Sequence, residues 1–471
     1  MMDIRHVVAV VLFLVKGICG LLKEFRDFGS LEEGVRGLVQ EAGQKVFVWA
    51  LEELDEKLLK QRDKANLDVV RFCERTWVST FGSLTVRRRL YRDRRTEEYR
   101  FLLDEALGWE PDKRLTERME AMALELGTET PFRRAARILG YLVPGVSAMA
   151  VWGVVTDAGE KAVIEAEQGR ERVFERGEVP QGSRQVEKLR IEGDGVVVAM
   201  QRADKRHDEI KLVVGYEGKV EGARRSLKNR RTVAGLVGGQ EIWEDAGVEF
   251  GRTWDLGRVK EVHVGGDGAP WIREGAELFK GEYHLDPFHL RKRLTEALSF
   301  DSVTYEAVSS AIGALDQTAA MESLNLAAKR ARGTARRRVL ALGDYLLANW
   351  DGLKALPEED RLGAIEGQVR HTIARRMKRI GARWTPEGAD RMARLLAAKS
   401  NDELLRHLGR KASPAPESMT LPTVDIGRMS AQAEDVEAWL RAKVPALTGP
   451  FASREWIKHV LRAITSVQEV A

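Results

Sequence analysis

Three acidic residues stand at positions where a carboxylate needs a chemical reason. Asp194 lies in LRIEGDGVVVAM, apolar enough on both sides to read as a central strand, where an ionised carboxylate requires a cation, a proton or hydrogen bonds. Gly193 and Gly195 flank it and permit close approach of a ligand or another backbone. Asp267 ends VKEVHVGGD and precedes Gly268, at a strand end of the kind where open α/β sheets carry their sites; a plain turn in Gly-Gly-Asp-Gly would also account for it. Glu366 falls in EEDRLGAIEGQVRHTIARRMKRI, which reads as a helix with acids in its first turn and cations at its end. Two strand-borne aspartates and a later helix-borne glutamate are hard oxygen ligands suited to Mg²⁺, with Mn²⁺ as a substitute. A pair of such ions about 3.5–4 Å apart activates water or a hydroxyl against a phosphodiester.

Such a substrate is a polyanion, and the chain carries dense groups of cations. Arg336, Arg337 and Arg338 belong to one acid-free basic run, and Arg370, Arg375 and Arg376 to another. Upstream, Trp77 to Tyr91 reads as a hairpin around Gly82-Ser83 whose second strand bears Arg87, Arg88 and Arg89, either a solvated strand edge or a phosphate contact. Leu115 to Val155 reads as three short helices, the third capped by Ser147, with Arg133, Arg134 and Arg137 on the middle one. That outline is similar to a helix-turn-helix, and also to three-helix bundles that bind no DNA.

Positioning these groups requires a chain of several units, and 471 residues supply two to four of them. With 44% hydrophobic and 31% charged residues the chain is neither disordered nor a multi-span membrane protein. Two cysteines, Cys19 and Cys73, exclude a disulfide framework and a four-cysteine zinc site. The apolar run Val7 to Val15 is too short to span a bilayer and is broken by Lys16, which favours a packing helix over an export signal. The pattern then predicts N-terminal helices over 1–70, the basic hairpin and helix-turn-helix-like region over 71–158, and a polar linker over 159–185. Short β-rich runs fill 186–290, a helical block 291–356, a helix bearing Glu366 opens 357–408, and a linker with two helices fills 409–471. Five strands interrupted by helices make an α/β core with an all-α insertion, behind a mainly helical N-terminal region.

The order of IEGDGVVV, HVGGDGAPWI, YHLDPFHLRK and AIEGQVRHTIARRMKRIGARWTPEGADRM resembles the ISLre-type insertion-sequence transposases, a bacterial family distantly similar to Mutator-type transposases. The resemblance covers about Arg71 to Leu408 and implies an RNase H-like DDE catalytic core with a helical insertion before the last acid. It implies Asp194, Asp267 and Glu366 as the metal-binding catalytic acids, 73 and 99 residues apart. DPFH, Asp286 to His289, resembles the C/D-x-x-H element of the Mutator-like enzymes; Asp286 also suits a helix N-cap, and His289 a contact to substrate phosphate. The implied activity cuts element ends and joins 3′-hydroxyls to target DNA. The implied partners are terminal repeats, target DNA and further copies of the chain assembled on DNA, with no membrane, in a bacterial cytoplasm at the nucleoid. A non-catalytic DNA-binding descendant and an RNase H-like nuclease without strand transfer are the alternatives. For the third acid, Glu358, Glu359, Asp360 and Glu387 lie nearby, each with a sufficient role in a helix first turn.

Overall fold

Two helices open the chain, α1 (Ile4–Glu24) and α2 (Phe28–Gln61), and Asp27 starts the second by accepting from the Ser30 backbone while the Ser30 hydroxyl reciprocates. This is a computed structural model that describes residues 4–24, 26–220, 226–354, 356–357, 361–378 and 381–408. The chain divides into two units, Met1–Lys411 and Ala412–Ala471; the helices expected within 409–471 lie outside the described residues.

The expected hairpin forms as β1 (Leu67–Ser79) and β2 (Gly82–Asp93), with the short β3 (Tyr99–Arg100) beside β2, but it turns at Thr80-Phe81, and Gly82-Ser83, expected at the turn, already pair with Ser79 and Val78. Strand alternation decides the fate of its arginines. Leu84, Val86 and Arg88 point inward, and Arg88 is only 6% exposed. Its Nε donates to Asp104 Oδ1 at 2.7 Å, and Arg75 donates to the other oxygen of the same carboxylate at 3.0 Å. Arg89 is likewise turned into the protein, donating to Asp55 at 2.7 Å and to Glu56. Of the expected phosphate contacts Arg87, Arg88 and Arg89, only Arg87 is exposed; the other two neutralise buried acids, because an arginine on the inward side of a strand folds only with a partner.

The three-helix region consists of α4 (Glu117–Glu129), α5 (Phe132–Leu142) and α6 (Ala148–Arg170), after the short α3 (Leu102–Ala106). Ser147 caps α6 as expected, and Arg133, Arg134 and Arg137 are exposed on α5. The expected linker over 159–185 is a correction: α6 continues to Arg170 and ends in a π-helical turn, Glu171–Glu175. Its charged residues suggested solvated coil, yet Val155, Ala158 and Ala162 keep helical spacing and pack into the core of the following sheet.

That sheet contains β4 (Lys188–Ala199), β5 (His207–Tyr216), β8 (Arg231–Gly235), β9 (Glu261–Gly266) and β10 (Glu282–Leu285), with a small separate ribbon of β6 (Gly218–Lys219) and β7 (Leu227–Lys228). The order is β10-β9-β4-β5-β8. β4, β5 and β8 are antiparallel, while β9 and β10 run parallel to β4 through crossovers that carry α7 (Gly239–Thr253) and α8 (Pro270–Leu278). All five strands expected from the sequence are present. Leu189 and Ile191 face α7 and α8; Val196 and Val198 face α6, α13 (Ile365–Val369) and α15 (Pro386–Ser400). Between β10 and α13 stand four helices with a core of their own, α9 (Pro287–Leu298), α10 (Ser302–Gly313), α11 (Gln317–Arg330) and α12 (Gly333–Ala348).

The helix bearing Glu366 begins later than its composition suggests. It starts at Ile365, after Gly363 at φ +107°, passes a π-helical turn (Arg370–Ala374) and ends with α14 (Arg375–Met377). Glu366 is therefore a first-turn residue; Glu358, Glu359 and Asp360 lie outside the described residues. Among the described residues no helix is long and apolar enough to cross a membrane.

The buried pairing of Arg88 leads to the first prediction. Arg88→Ala leaves Asp104 half-partnered in a closed environment and lowers the unfolding free energy by about 3 kcal/mol in urea titrations, whereas Arg87→Ala changes it by less than about 0.5 kcal/mol. Equal effects would place Arg88 on the surface.

Candidate active site

Strand register brings the two aspartates together. Gly193 pairs with Gly266 across β4 and β9, so Asp194 and Asp267 occupy the next rung side by side, at the carboxyl end of the parallel pair. Asp286 continues the row at the end of β10, its amide donating to the Gly266 carbonyl at 2.8 Å. Gly193 lets the Trp271 ring pack close: a Cβ there would lie 3.1 Å from it, on the face opposite Asp194. Glu366 arrives from α13, which packs on the sheet face carrying Val196. Donor atoms of Asp194, His289 and Glu366 lie within 4.8 Å of one another, a spacing that suits a shared cation. Asp267 lines the same cavity of about 530 Å³, and its Oδ1 also accepts from the Ala269 backbone at 2.9 Å. The turn role and the site position thus coexist in one residue.

The electrostatics are those of a site built for positive charge. Asp194 is 7% exposed, and its carboxyl is pushed up to about 6, first by burial and then by the neighbouring Asp267 and Glu366, with His289 opposing. His289 is held above the usual histidine value, mainly by Nδ1 bonding to Asp286 Oδ2 at 2.7 Å and further by Asp194 and Asp267. Asp286 also caps α9, accepting from the Phe288 amide at 3.2 Å, so its cap role and its hold on His289 are two oxygens of one carboxylate.

Lys292, Arg293, Arg370 and Lys378 complete the wall. Lys292 and Arg293 are functional candidates that reading for runs missed, although the spacing of DPFHLRKR puts them one turn after His289 on α9. Arg336, Arg337 and Arg338 are exposed on α12 outside this cavity, and Arg375 is exposed beside Glu129 at 3.6 Å. Arg376 is a correction. It is 8% exposed, donates to the Gly127 carbonyl, stacks on Phe132 and Trp384, and is lowered to about 10 by burial, so it joins α14 to the three-helix region instead of reaching solvent. Glu387 is exposed in the first turn of α15, capped by Thr385, and does not line the cavity.

The residue that sets Glu366 in place is Glu192, which sequence reading passed over as one more strand position. It is 1% exposed, two residues before Asp194 on the same face of β4. Its carboxylate accepts from the amides of Gly363 (2.8 Å), Ala364 (3.0 Å) and Ile365 (3.3 Å) and from the Tyr216 hydroxyl (2.6 Å). Burial pushes its carboxyl up while Tyr216 and the amides pull it back. The first helical turn of α13 is thus fixed to the strand that carries Asp194. A second acid two positions from Asp194, on the same face of one apolar strand, is the signal that could have found it.

Protein-family comparison gives one match, a model described as Uncharacterised protein family (UPF0236), over residues 21–411. A UPF0236 protein of Caldanaerobacter subterraneus subsp. tengcongensis, whose name joins eleven loci, is 25% identical over 396 residues, covering 82% of this chain and 81% of the relative. A second from that organism, its name joining four loci, has the same identity and coverage of both chains. The UPF0236 protein in the vanSb 3′ region of Streptococcus gallolyticus is 26% identical over 405 residues, covering 82% of this chain and 86% of the relative.

Two outcomes follow from burial at the site. An ionised Asp194 is destabilising in the fold, and that cost is absent below the ordinary carboxyl value near 3.8 and fully present above about 6. Asp194→Asn therefore raises the unfolding free energy by about 3 kcal/mol at pH 8 and leaves it unchanged at about pH 3 in denaturant titrations. Glu192→Ala removes the acceptor of three amides at the start of α13, that of Ile365 buried, and of the buried Tyr216 hydroxyl, and lowers that free energy by about 3 kcal/mol, against less than about 1 kcal/mol for Glu387→Ala.

Proposed function

The chain belongs to the UPF0236 family, and we propose that it is a DNA transposase of the DDE type with an RNase H-like core, cutting element ends and transferring 3′-hydroxyls to target DNA. The observation that carries this reading is the convergence of Asp194, Asp267 and Glu366 on one cation-lined cavity at the carboxyl end of the β4–β9 pair. A mixed five-stranded sheet with a four-helix insertion between its last strand and the helix of Glu366 agrees with the layout that the transposase resemblance implies. Relatives whose single name joins eleven and four loci of one genome agree with dispersal by transposition.

The donor set fits hard divalent cations: three carboxylates, one of them buried and held protonated up to about pH 6 until a cation compensates it. Asp194, Asp267 and Glu366 would hold Mg²⁺ or Mn²⁺, which when bound supplies an activated hydroxyl and neutralises the leaving oxygen. The protein's own groups do the rest. Lys292, Arg293, Arg370 and Lys378 hold the phosphates flanking the cut, and Gly367, with nothing within 4 Å of a Cβ position, leaves the first turn of α13 open to a strand of DNA. His289, oriented through Nδ1 by Asp286, presents its other nitrogen as a donor to a phosphate oxygen. Arg133, Arg134 and Arg137, exposed on α5, supply a basic face for duplex remote from the cut. A non-catalytic DNA-binding descendant has no use for the buried acid, and it is the reading the experiment must separate.

Purified protein incubated with DNA from the ends of its own genetic element and Mg²⁺ or Mn²⁺ gives nicks at those ends and joined products in a target plasmid, mapped strand by strand. Asp194→Asn, Asp267→Asn and Glu366→Gln each lower cleavage by about a thousandfold or more while DNA affinity stays within about threefold. Cleavage that survives in folded Asp194→Asn rejects the assignment, and cuts without joined products convert it to a nuclease.

A further inference from the structure

A second set of metal-ligating side chains stands upstream of the carboxylates on β9 and β10. His263 and Glu282 are register partners across the parallel pair, and His284 follows opposite Gly265. Register partners share a face, and His284, two positions after Glu282, lies on that face as well. Nδ1 of His263 lies 3.1 Å from Nε2 of His284, and Glu282 Oε2 lies 3.8 Å from that same nitrogen. Two ligands about 2.0–2.1 Å from a tetrahedral Zn²⁺ stand about 3.4 Å apart, so this spacing fits without rearrangement.

A simple hydrogen bond between the two rings leaves much unexplained. In either tautomer His263 Nε2 remains buried without a hydrogen-bond partner, and the His284 ring has the Lys354 backbone beside it. A cation between the inner nitrogens uses both lone pairs and fixes both protons outside, where Glu261 Oε2 faces His263 Nε2 at 3.9 Å. Two nearby lysines are already neutralised: Lys354 donates to Glu282 Oε1 at 3.1 Å, leaving Oε2 turned to His284, and Lys188 pairs with Glu261 at 3.0 Å.

We propose that His263, His284 and Glu282 form a site for a borderline divalent cation of the Zn²⁺ kind, distinct from the Asp194 cavity, which staples edge strand β10 to β9. Two imidazoles and one carboxylate select Zn²⁺ over Mg²⁺, the reverse of the all-oxygen acids. Glu282, with its side chain 45% exposed, leaves the fourth position to water. The staple lies upstream of Asp267 and Asp286 on the strands that end in them, so it would steady that end of the sheet.

The test uses the full chain with Asp194→Asn, which removes an acid of the other cavity, and Co²⁺ as a spectroscopic probe. A single equivalent of Co²⁺ gives the visible absorption of a tetrahedral site, is displaced by Zn²⁺ and survives a large excess of Mg²⁺. Glu282→Gln, at an exposed position, weakens binding by about tenfold or more, and His284→Asn abolishes it. Absence of the band, or affinity unchanged by Glu282→Gln, overturns the proposal even if His284→Asn fails to fold. Because the background already lacks Asp194, the outcome is independent of whether the cavity cuts DNA.

Discussion

The carboxylate of Glu192 is the constraint on which the site's geometry depends. Sheet register alone aligns Asp194 with Asp267, because both follow paired glycines on neighbouring strands. Strand pairing does not determine where Glu366 arrives, since 99 residues and a four-helix insertion separate it from Asp267. Glu192 supplies that determination by accepting from the start of α13, and two residues along the strand Asp194 faces the acid so delivered. An anion at a helix start is favoured by the backbone dipoles, and in a dry environment each unmade amide bond would be costly, so the arrangement is fixed more tightly than apolar packing could fix it.

A second constraint concerns charge supply. The cations that reach the cavity come from α9, from the π-helical stretch after Glu366 and from Lys378 at the end of α14, while denser arginine groups serve the fold. Arg88 and Arg89 carry the charge balance of the hairpin against Asp104, Asp55 and Glu56, and Arg376 fastens α14 to the Gly127 carbonyl. Alternation along β2 turns Arg88 inward, while Arg89 at the next position is held by acids of α2, so each is committed to the fold whatever the count of positive residues around it. Density of arginine in a sequence therefore locates a basic segment, and only the phase of the strand or helix says which members face water.

What could be read from residues alone follows the same division. Strand periodicity is local, so all five strands of the sheet, the hairpin, the Ser147 cap and the placement of Asp194 and Asp267 at the site were legible. Long-range terms were not. The stretch after Ala158 reads as polar coil, yet it is helix because its small residues find a sheet to pack on, and α13 starts at Ile365 because a strand carboxylate waits there. Lys292 and Arg293 were missed for a related reason: they belong to the short run Arg291-Lys292-Arg293, and only the turn of α9 says which of its members reach the cavity.

The remaining step concerns why a buried acid is tolerated at all. Asp194 sits within an apolar strand with its carboxyl pushed up to about 6, so its ionised form carries an electrostatic cost that a packed core residue would avoid. Hydrogen bonding does not relieve it: Asp194 Oδ1 takes only its neighbour Gly195's amide, at 2.7 Å, whereas Glu192 on the same strand takes three amides and a hydroxyl. Two buried acids on one strand face thus divide the work, one fully satisfied by protein donors and one left to external charge. A sequence with no use for external positive charge at this point would gain stability by replacing the second, and that asymmetry ties the strand to chemistry instead of to folding.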